Sequence, residues 1–306
     1  MKRIVIVFIA IIVAIAFSSC EKEQLGMYNP GKKIHKIYEL KISEKVLTET
    51  WTWEGDKLMR VDIVNTGGAS VTDIFEYDGK FMSKITRTIT HSSGENVVGE
   101  FLFSYDGKKL TKLETLAEGA MNASVTFLYE GNKVSKMVTE FSFPIIKSSQ
   151  EIDMVFSSLR YVMPTEVLKP LKQQTHRNME KSTTAESTVL TTTLTWDGNN
   201  IAKISAESMV NNELQIIDSE LSYDNMNNPF YCNYLGSITT TITAGAGTYG
   251  MAKNNPVKVV SLISNMPYYY EENILNYKYE NKYPVEVTYI EIGRDYTETI
   301  YYEYLD

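Results

Sequence analysis

The side chains that most often carry catalysis or bind metals are few and scattered along this chain of 306 residues. The histidines are His35, His91 and His176, and no two of them are close in sequence. Because zinc and metalloprotease sites place two or more such ligands at short, fixed spacings, we predict no metal site and no cofactor. Cys232 has no histidine or basic residue beside it, so we interpret it as a small buried side chain and not as a nucleophile.

Carboxylates are the remaining groups with catalytic potential, and Asp and Glu together number 38. They act as acid and base only when they face each other across a cleft, which spacing alone does not reveal. The sequence contains neither a nucleophile elbow nor a phosphate-binding P-loop. We therefore predict a non-catalytic binding or scaffold protein. The alternative is a hydrolase that acts on surface polymers with carboxylates in a barrel cleft.

Tyrosines are numerous and crowd the C-terminal part of the chain. Three of them, Tyr268, Tyr269 and Tyr270, are consecutive, so in a strand they must send at least one ring to each face. An exposed Tyr suits recognition because it combines an apolar ring with a hydroxyl. We predict these three as ligand-binding residues for a glycan, peptide, lipid or partner protein, with a buried cluster inside a barrel as the alternative.

The N-terminus reads as a targeting segment. Lys2 and Arg3 precede an apolar run over residues 4–17, and two serines lead into Cys20. This is the layout of a secretory signal peptide, and it is shorter than the ~20 apolar residues of a membrane-spanning helix. The cysteine makes it resemble a bacterial lipoprotein signal. That resemblance implies removal of residues 1–19, lipidation of Cys20 and a flexible tether over 20–33.

Two further features, the residues after Cys20 and the net charge, indicate where the protein is located and what it contacts. The Glu-Lys-Glu tract at residues 21–23 resembles the tract that sends lipoproteins of the Bacteroidota to the cell surface. This implies a lipid anchor in the outer membrane at the cell surface, with a periplasm-facing anchor as the alternative. The net charge of −8 provides no footprint for nucleic acid. An acidic chain is also repelled by anionic lipid, so the membrane contact must be through the acyl chains.

A short pattern recurs along the chain, in which two bulky residues at i and i+2 are followed by Asp-Gly or Glu-Gly. An aliphatic residue and then a basic and a second aliphatic residue come next. Five copies occupy residues 51–55, 75–79, 103–107, 127–131 and 194–198, and two weaker copies occupy 221–225 and 277–281. The bulky pair shares one face of a strand, and Gly accepts the positive φ of a tight turn. Each copy therefore predicts a β-hairpin, with its basic residue solvated on the outer face.

Seven hairpins predict an all-β antiparallel meander of about 12–14 strands. Strongly twisted open sheets rarely hold so many strands, so we expect a closed or strongly curved, barrel-like sheet. Neither face of residues 81–90 is a continuous apolar band, which indicates a water-soluble sheet. We predict one domain over 34–306, with an insertion at 144–188 that carries a helix near 148–162.

The leader, the hairpin copies, the Asn-Asn-Pro turns at 227–229 and 254–256 and the segment 277–285 together look like a family of uncharacterised Bacteroidota lipoproteins. The resemblance implies a porin-like antiparallel β fold and a lipoprotein address. It implies no catalytic residue.

Overall fold

The computed structural model describes residues 27–28, 30–64, 70–117, 120–141, 188–210, 213–232, 250–263, 270–293 and 296–306. Within these residues each of sixteen strands pairs antiparallel with its sequence neighbour, and the last strand pairs with the first, which closes a barrel. The strands are β1(Ile34–Lys41), β2(Glu44–Glu54), β3(Lys57–Val64), β4(Ser70–Asp78), β5(Phe81–Thr90), β6(Asn96–Asp106), β7(Lys109–Ala117), β8(Ala120–Glu130), β9(Lys133–Phe141), β10(Thr188–Asp197), β11(Asn200–Val210), β12(Glu213–Tyr223), β13(Pro256–Ile263), β14(Tyr270–Glu280), β15(Tyr283–Ile292) and β16(Tyr296–Tyr304).

The antiparallel β-rich fold is confirmed, but the expectation of about 12–14 strands is too low. The missing hairpin is divided between the two ends of the chain. β16 ends with the bulky pair Tyr302 and Tyr304, and β1 begins with Ile34, Lys36 and Ile37, which is the pattern that flanks the other turns. Ile34 pairs with Tyr304 across this seam. The chain ends therefore form an eighth unit that no contiguous segment reveals.

The predicted tight turns are confirmed in the five strong copies. Their glycines have φ between 55° and 62°, the left-handed region that side chains avoid, and they are Gly55, Gly79, Gly107, Gly131 and Gly198. Asn281 takes this role in one weaker copy, with φ of 50°. The other weaker copy is not a tight turn, because β12 and β13 are separated by residues 224–255. We call the end of the barrel that carries these turns the repeat-turn end, and the opposite end the far end.

Every one of the eight units has a register shift just before its last bulky residue. An example is the shift between Thr52 and Trp53, where Met59 is the extra residue of the partner strand. The other shifts lie in the equivalent position. A bulge of this kind re-aims the side chains around it. It explains how Leu58 and Val61, three residues apart, are both buried.

Hydrogen bonds join seven of the eight units to the unit before them. The hydroxyl or indole NH of an aromatic residue on an even-numbered strand donates to a main-chain carbonyl of the preceding strand, at the aliphatic residue that follows the turn. These bonds are Trp53–Ile34, Tyr77–Leu58, Tyr105–Met82, Tyr129–Leu110, Trp196–Val134, Tyr277–Pro256 and Tyr304–Pro284, with donor–acceptor distances of 2.6–3.0 Å. In the remaining unit Tyr223 faces the carbonyl of Ile201. The motif tyrosines and tryptophans are thus structural.

The barrel interior has an apolar layer at the repeat-turn end and a polar layer farther along the strands. The apolar layer includes Trp51, Leu58, Phe75, Ile85, Leu110, Leu113, Phe127, Met137, Ile201 and Ile204. Tyr28 and Phe230, which lie outside the strands, pack into the same core. The buried polar residues of the strands lie on the far-end side of this layer, and they include Glu49, Asp73, Arg87, Thr115, Thr139, Thr192, Ser208, Ser219, Ser261, Glu271, Asn273, Glu291 and Glu298.

Two further expectations have different outcomes. Cys232 is buried, as predicted, with 4% of its surface exposed. The predicted helix near 148–162, together with nearly all of the proposed insertion at 144–188, lies outside the described residues.

Candidate functional site

The half of the outer wall next to the repeat turns is charged, whereas exposed apolar side chains such as Val64, Met209, Leu262 and Ile292 lie on the half nearer the far end. The basic residue of each of the five strong copies points outward, as predicted. Many basic residues of the wall form ion pairs with carboxylates on the same or a neighbouring strand. The pairs are Lys36–Glu303, Arg60–Asp62, Lys84–Glu76, Lys84–Glu100, Lys112–Glu114, Lys203–Asp218, Lys258–Glu272 and Lys278–Glu286, at 2.6–3.3 Å. A basic residue facing lipid near the bilayer midplane costs about 2–4 kcal/mol. The charged half of the wall therefore has the chemistry of a surface in contact with water.

A cleft of about 1000 Å³ lies on the outer wall along the seam between β1 and β16. Its walls include two tyrosines, Tyr38 and Tyr301, together with Lys45, Glu286 and Glu303. The ammonium group of Lys45 lies 3.6 Å from the centre of the Tyr301 ring, which is a cation–π contact. The cleft thus combines aromatic rings with charges of both signs.

Glu303 is the centre of the hydrogen bonding in this cleft. The Tyr38 hydroxyl donates to one of its oxygens at 2.8 Å, and the Lys36 ammonium donates to the other at 3.2 Å. These two donors hold the pKa of the Glu303 carboxyl below its usual range. The same carboxylate raises the pKa of Lys36 and of Tyr38. At neutral pH Glu303 therefore stays ionised, and Lys36 and Tyr38 keep their protons. Glu303 serves as a hydrogen-bond acceptor and not as a general acid.

The predicted site residues are only partly described. Cys20, Tyr268 and Tyr269 lie outside the described residues. Tyr270 is the first residue of β14 at the far end, and 57% of its surface is exposed. Its hydroxyl donates to Glu272, which also binds Lys258 at 2.7 Å. Tyr270 is therefore an outward-facing ring and does not belong to the buried core.

The polar interior contains carboxylates that the sequence reasoning did not single out. Glu49 accepts a hydrogen bond from the indole NH of Trp51 at 2.8 Å, and Glu298 accepts one from Tyr296 at 3.1 Å. Asn273 donates to Glu271 at 3.1 Å. In each case donor and acceptor are two residues apart on one strand and share one face. These bonds hold the carboxylates in place as parts of the wall.

The described part of the chain contains no cluster of three or more His, Cys, Asp or Glu residues placed to hold a metal ion. No helix within it is long and apolar enough to cross a membrane.

Comparisons with known proteins give structural likenesses but no match in sequence. No protein-family model and no curated protein sequence matches the chain. A solved structure with a similar fold is that of a porin-like protein from Bacteroides vulgatus ATCC 8482. The two share 9% sequence identity with a TM-score of 0.40, over 90% of this chain and 99% of the other.

Proposed function

We propose that this protein is a lipid-anchored module of the bacterial envelope that binds a ligand or scaffolds a partner without catalysis. The lipid on Cys20 attaches it to the outer membrane, and the barrel stands in the surrounding water, at the cell surface. The ligand is a glycan, peptide, lipid or protein. The observation that supports this proposal best is the distribution of polarity in the half of the barrel next to the repeat turns, with apolar side chains inside and ion pairs outside.

That distribution is the reverse of what a membrane-spanning barrel needs. Such barrels place an apolar band against lipid and polar residues inside. Here Lys84 and Lys203 lie on the outer wall in ion pairs, whereas Ile85 and Ile204 beside them are fully buried. Attachment through an N-terminal lipid is compatible with this charged half of the wall, whereas insertion of that half into lipid is not.

The cleft at the seam favours binding over hydrolysis. Two of its carboxylates, Glu286 and Glu303, are held in ion pairs with Lys278 and Lys36. A general acid requires a raised pKa, and the pKa of Glu303 is lowered. Partly exposed tyrosine rings flanked by acceptors and donors suit the recognition of a polar ligand such as a sugar.

The location is tested by the variant Cys20→Ala. We expect the wild-type protein to fractionate with the outer membrane and the variant to move to the soluble fraction, because the variant lacks the thiol that carries the lipid. A matched variant, Cys232→Ser, should remain in the membrane. If Cys20→Ala fractionates with the membrane as the wild type does, lipid anchoring at this cysteine is rejected.

The binding function is tested with a glycan array and a pull-down of the water-soluble domain, residues 21–306. We expect Tyr301→Ala, in the cleft, or Tyr270→Ala, at the far end, to weaken capture while the melting temperature changes little. The matched control is Tyr289→Ala, in the core and outside the cleft, which should cost about 3–5 kcal/mol of stability. Capture that survives both surface substitutions would reject both candidate sites, and product in a polysaccharide turnover assay would favour the hydrolase.

A further inference from the structure

The segment just after the predicted anchor is fixed to one end of the barrel. Tyr28 is buried, its ring lies 5.5 Å from that of Trp53, and its hydroxyl donates to the carbonyl of Pro229 at 2.8 Å. Lys33 donates to the carbonyl of Gly55, in the turn between β2 and β3. All these partners lie at the repeat-turn end. The chain therefore enters the barrel there and nowhere along the wall or at the far end.

The next observation is the short reach of the chain between Cys20 and Tyr28. These residues are eight apart, and a fully extended chain of this length spans at most about 28 Å. Strands of about ten residues, rising ~3.3 Å each and tilted by ~40°, give a wall about 25 Å high. A path from Tyr28, inside the barrel, over the rim and down the full wall is longer than the chain allows.

We infer that the anchored protein stands with its repeat-turn end against the membrane and its far end directed away from it. This inference rests on the proposed lipid anchor at Cys20 and specifies which surface meets the lipid headgroups. The repeat turns suit that position, because Asp or Glu in each turn and Lys in most of them keep the charge of this end balanced. The exposed ring of Tyr270 then faces outward, where a ligand can approach it.

The orientation is tested on vesicles with energy transfer from the protein to acceptor-labelled lipid. The mature chain, residues 20–306 with Cys232→Ser, is coupled through Cys20 to a maleimide lipid, so that anchoring does not depend on processing in the cell. A donor dye is placed through an azide-bearing amino acid at Asn132, in the repeat turn between β8 and β9, or at Ser43, in the far-end turn between β1 and β2.

We expect transfer from Asn132 to exceed transfer from Ser43 by at least about twofold, because the full height of the wall separates them. Equal transfer from both positions would mean that the barrel lies on its side, and greater transfer from Ser43 would mean that it is inverted. Either result overturns the orientation and leaves the anchor intact. An error in the proposed anchor itself would be seen separately, because Cys20→Ala would then fractionate as the wild type does.

Discussion

Replacing Arg87 with alanine is expected to lower the free energy of unfolding by about 3–5 kcal/mol, because it removes one partner of a buried ion pair. Arg87 and Asp73 face each other across β5 and β4. The guanidinium donates to both carboxylate oxygens, at 2.7 and 2.6 Å, and each side chain is only 2% exposed. Desolvated in the barrel wall, the carboxylate that remains would lack the charge that balances it. Urea denaturation of residues 21–306 measures the effect.

Two controls separate the loss of a partner from the loss of charge in general. Arg60→Ala removes an ion pair on the outer wall and should cost at most about 1 kcal/mol, because that pair is exposed to water. The double variant Asp73→Leu with Arg87→Met should recover much of the stability lost in Arg87→Ala, because it removes both buried charges. If Arg87→Ala is no less stable than Arg60→Ala, the pair does not have the energetic role assigned to it.

Local sequence patterns predict the hairpins well because everything that defines them is contiguous. A glycine that tolerates positive φ, preceded by two bulky residues on one face, specifies a turn such as that at Gly107 without reference to the rest of the chain. The same pattern cannot show that Tyr304 and Ile34 belong to one unit, because the two residues are at opposite ends of the sequence. Closure of the barrel therefore required the structure, and so did the count of sixteen strands.

The candidate site was less predictable than the fold. The cleft unites Tyr38 with Tyr301, and only the closing pair of strands brings them together. The inward carboxylates did leave a signal in the sequence. Glu298 lies four residues before Tyr302, so strand alternation places both on one face. Residues two or four positions from an inward-facing aromatic residue on the same strand also face inward. This rule would have identified Glu298, and likewise Glu49 before Trp51, as inward-facing.

The divided eighth unit predicts that the chain can be circularly permuted. In the turn between β6 and β7, Asp106-Gly107-Lys108-Lys109 links Tyr105 to Leu110, and at the seam Lys32 and Lys33 precede Ile34. Changing Leu305→Asp and Asp306→Gly and joining residue 306 to Lys32 recreates that turn. The new chain ends are opened between Gly131 and Asn132. We expect the free energy of unfolding of the permuted chain to be within about 1 kcal/mol of that of a linear chain that starts at Lys32. The reason is that the new turn at the seam closes a loop of the same length as the turn that is opened.

Removal of β1 should have the opposite result, and it is the largest effect that the topology predicts. A chain that starts at Ser43 leaves β2 and β16 with unpaired edges and removes Ile34 and Ile37, which are fully buried in the core. We expect it to aggregate, whereas the permuted chain, which retains β1 in the middle of its sequence, remains monomeric. Size-exclusion chromatography and thermal unfolding compare the three chains. A monomeric, cooperatively unfolding chain without β1 would contradict the view that the seam closes the barrel, since the other fifteen strands would then suffice.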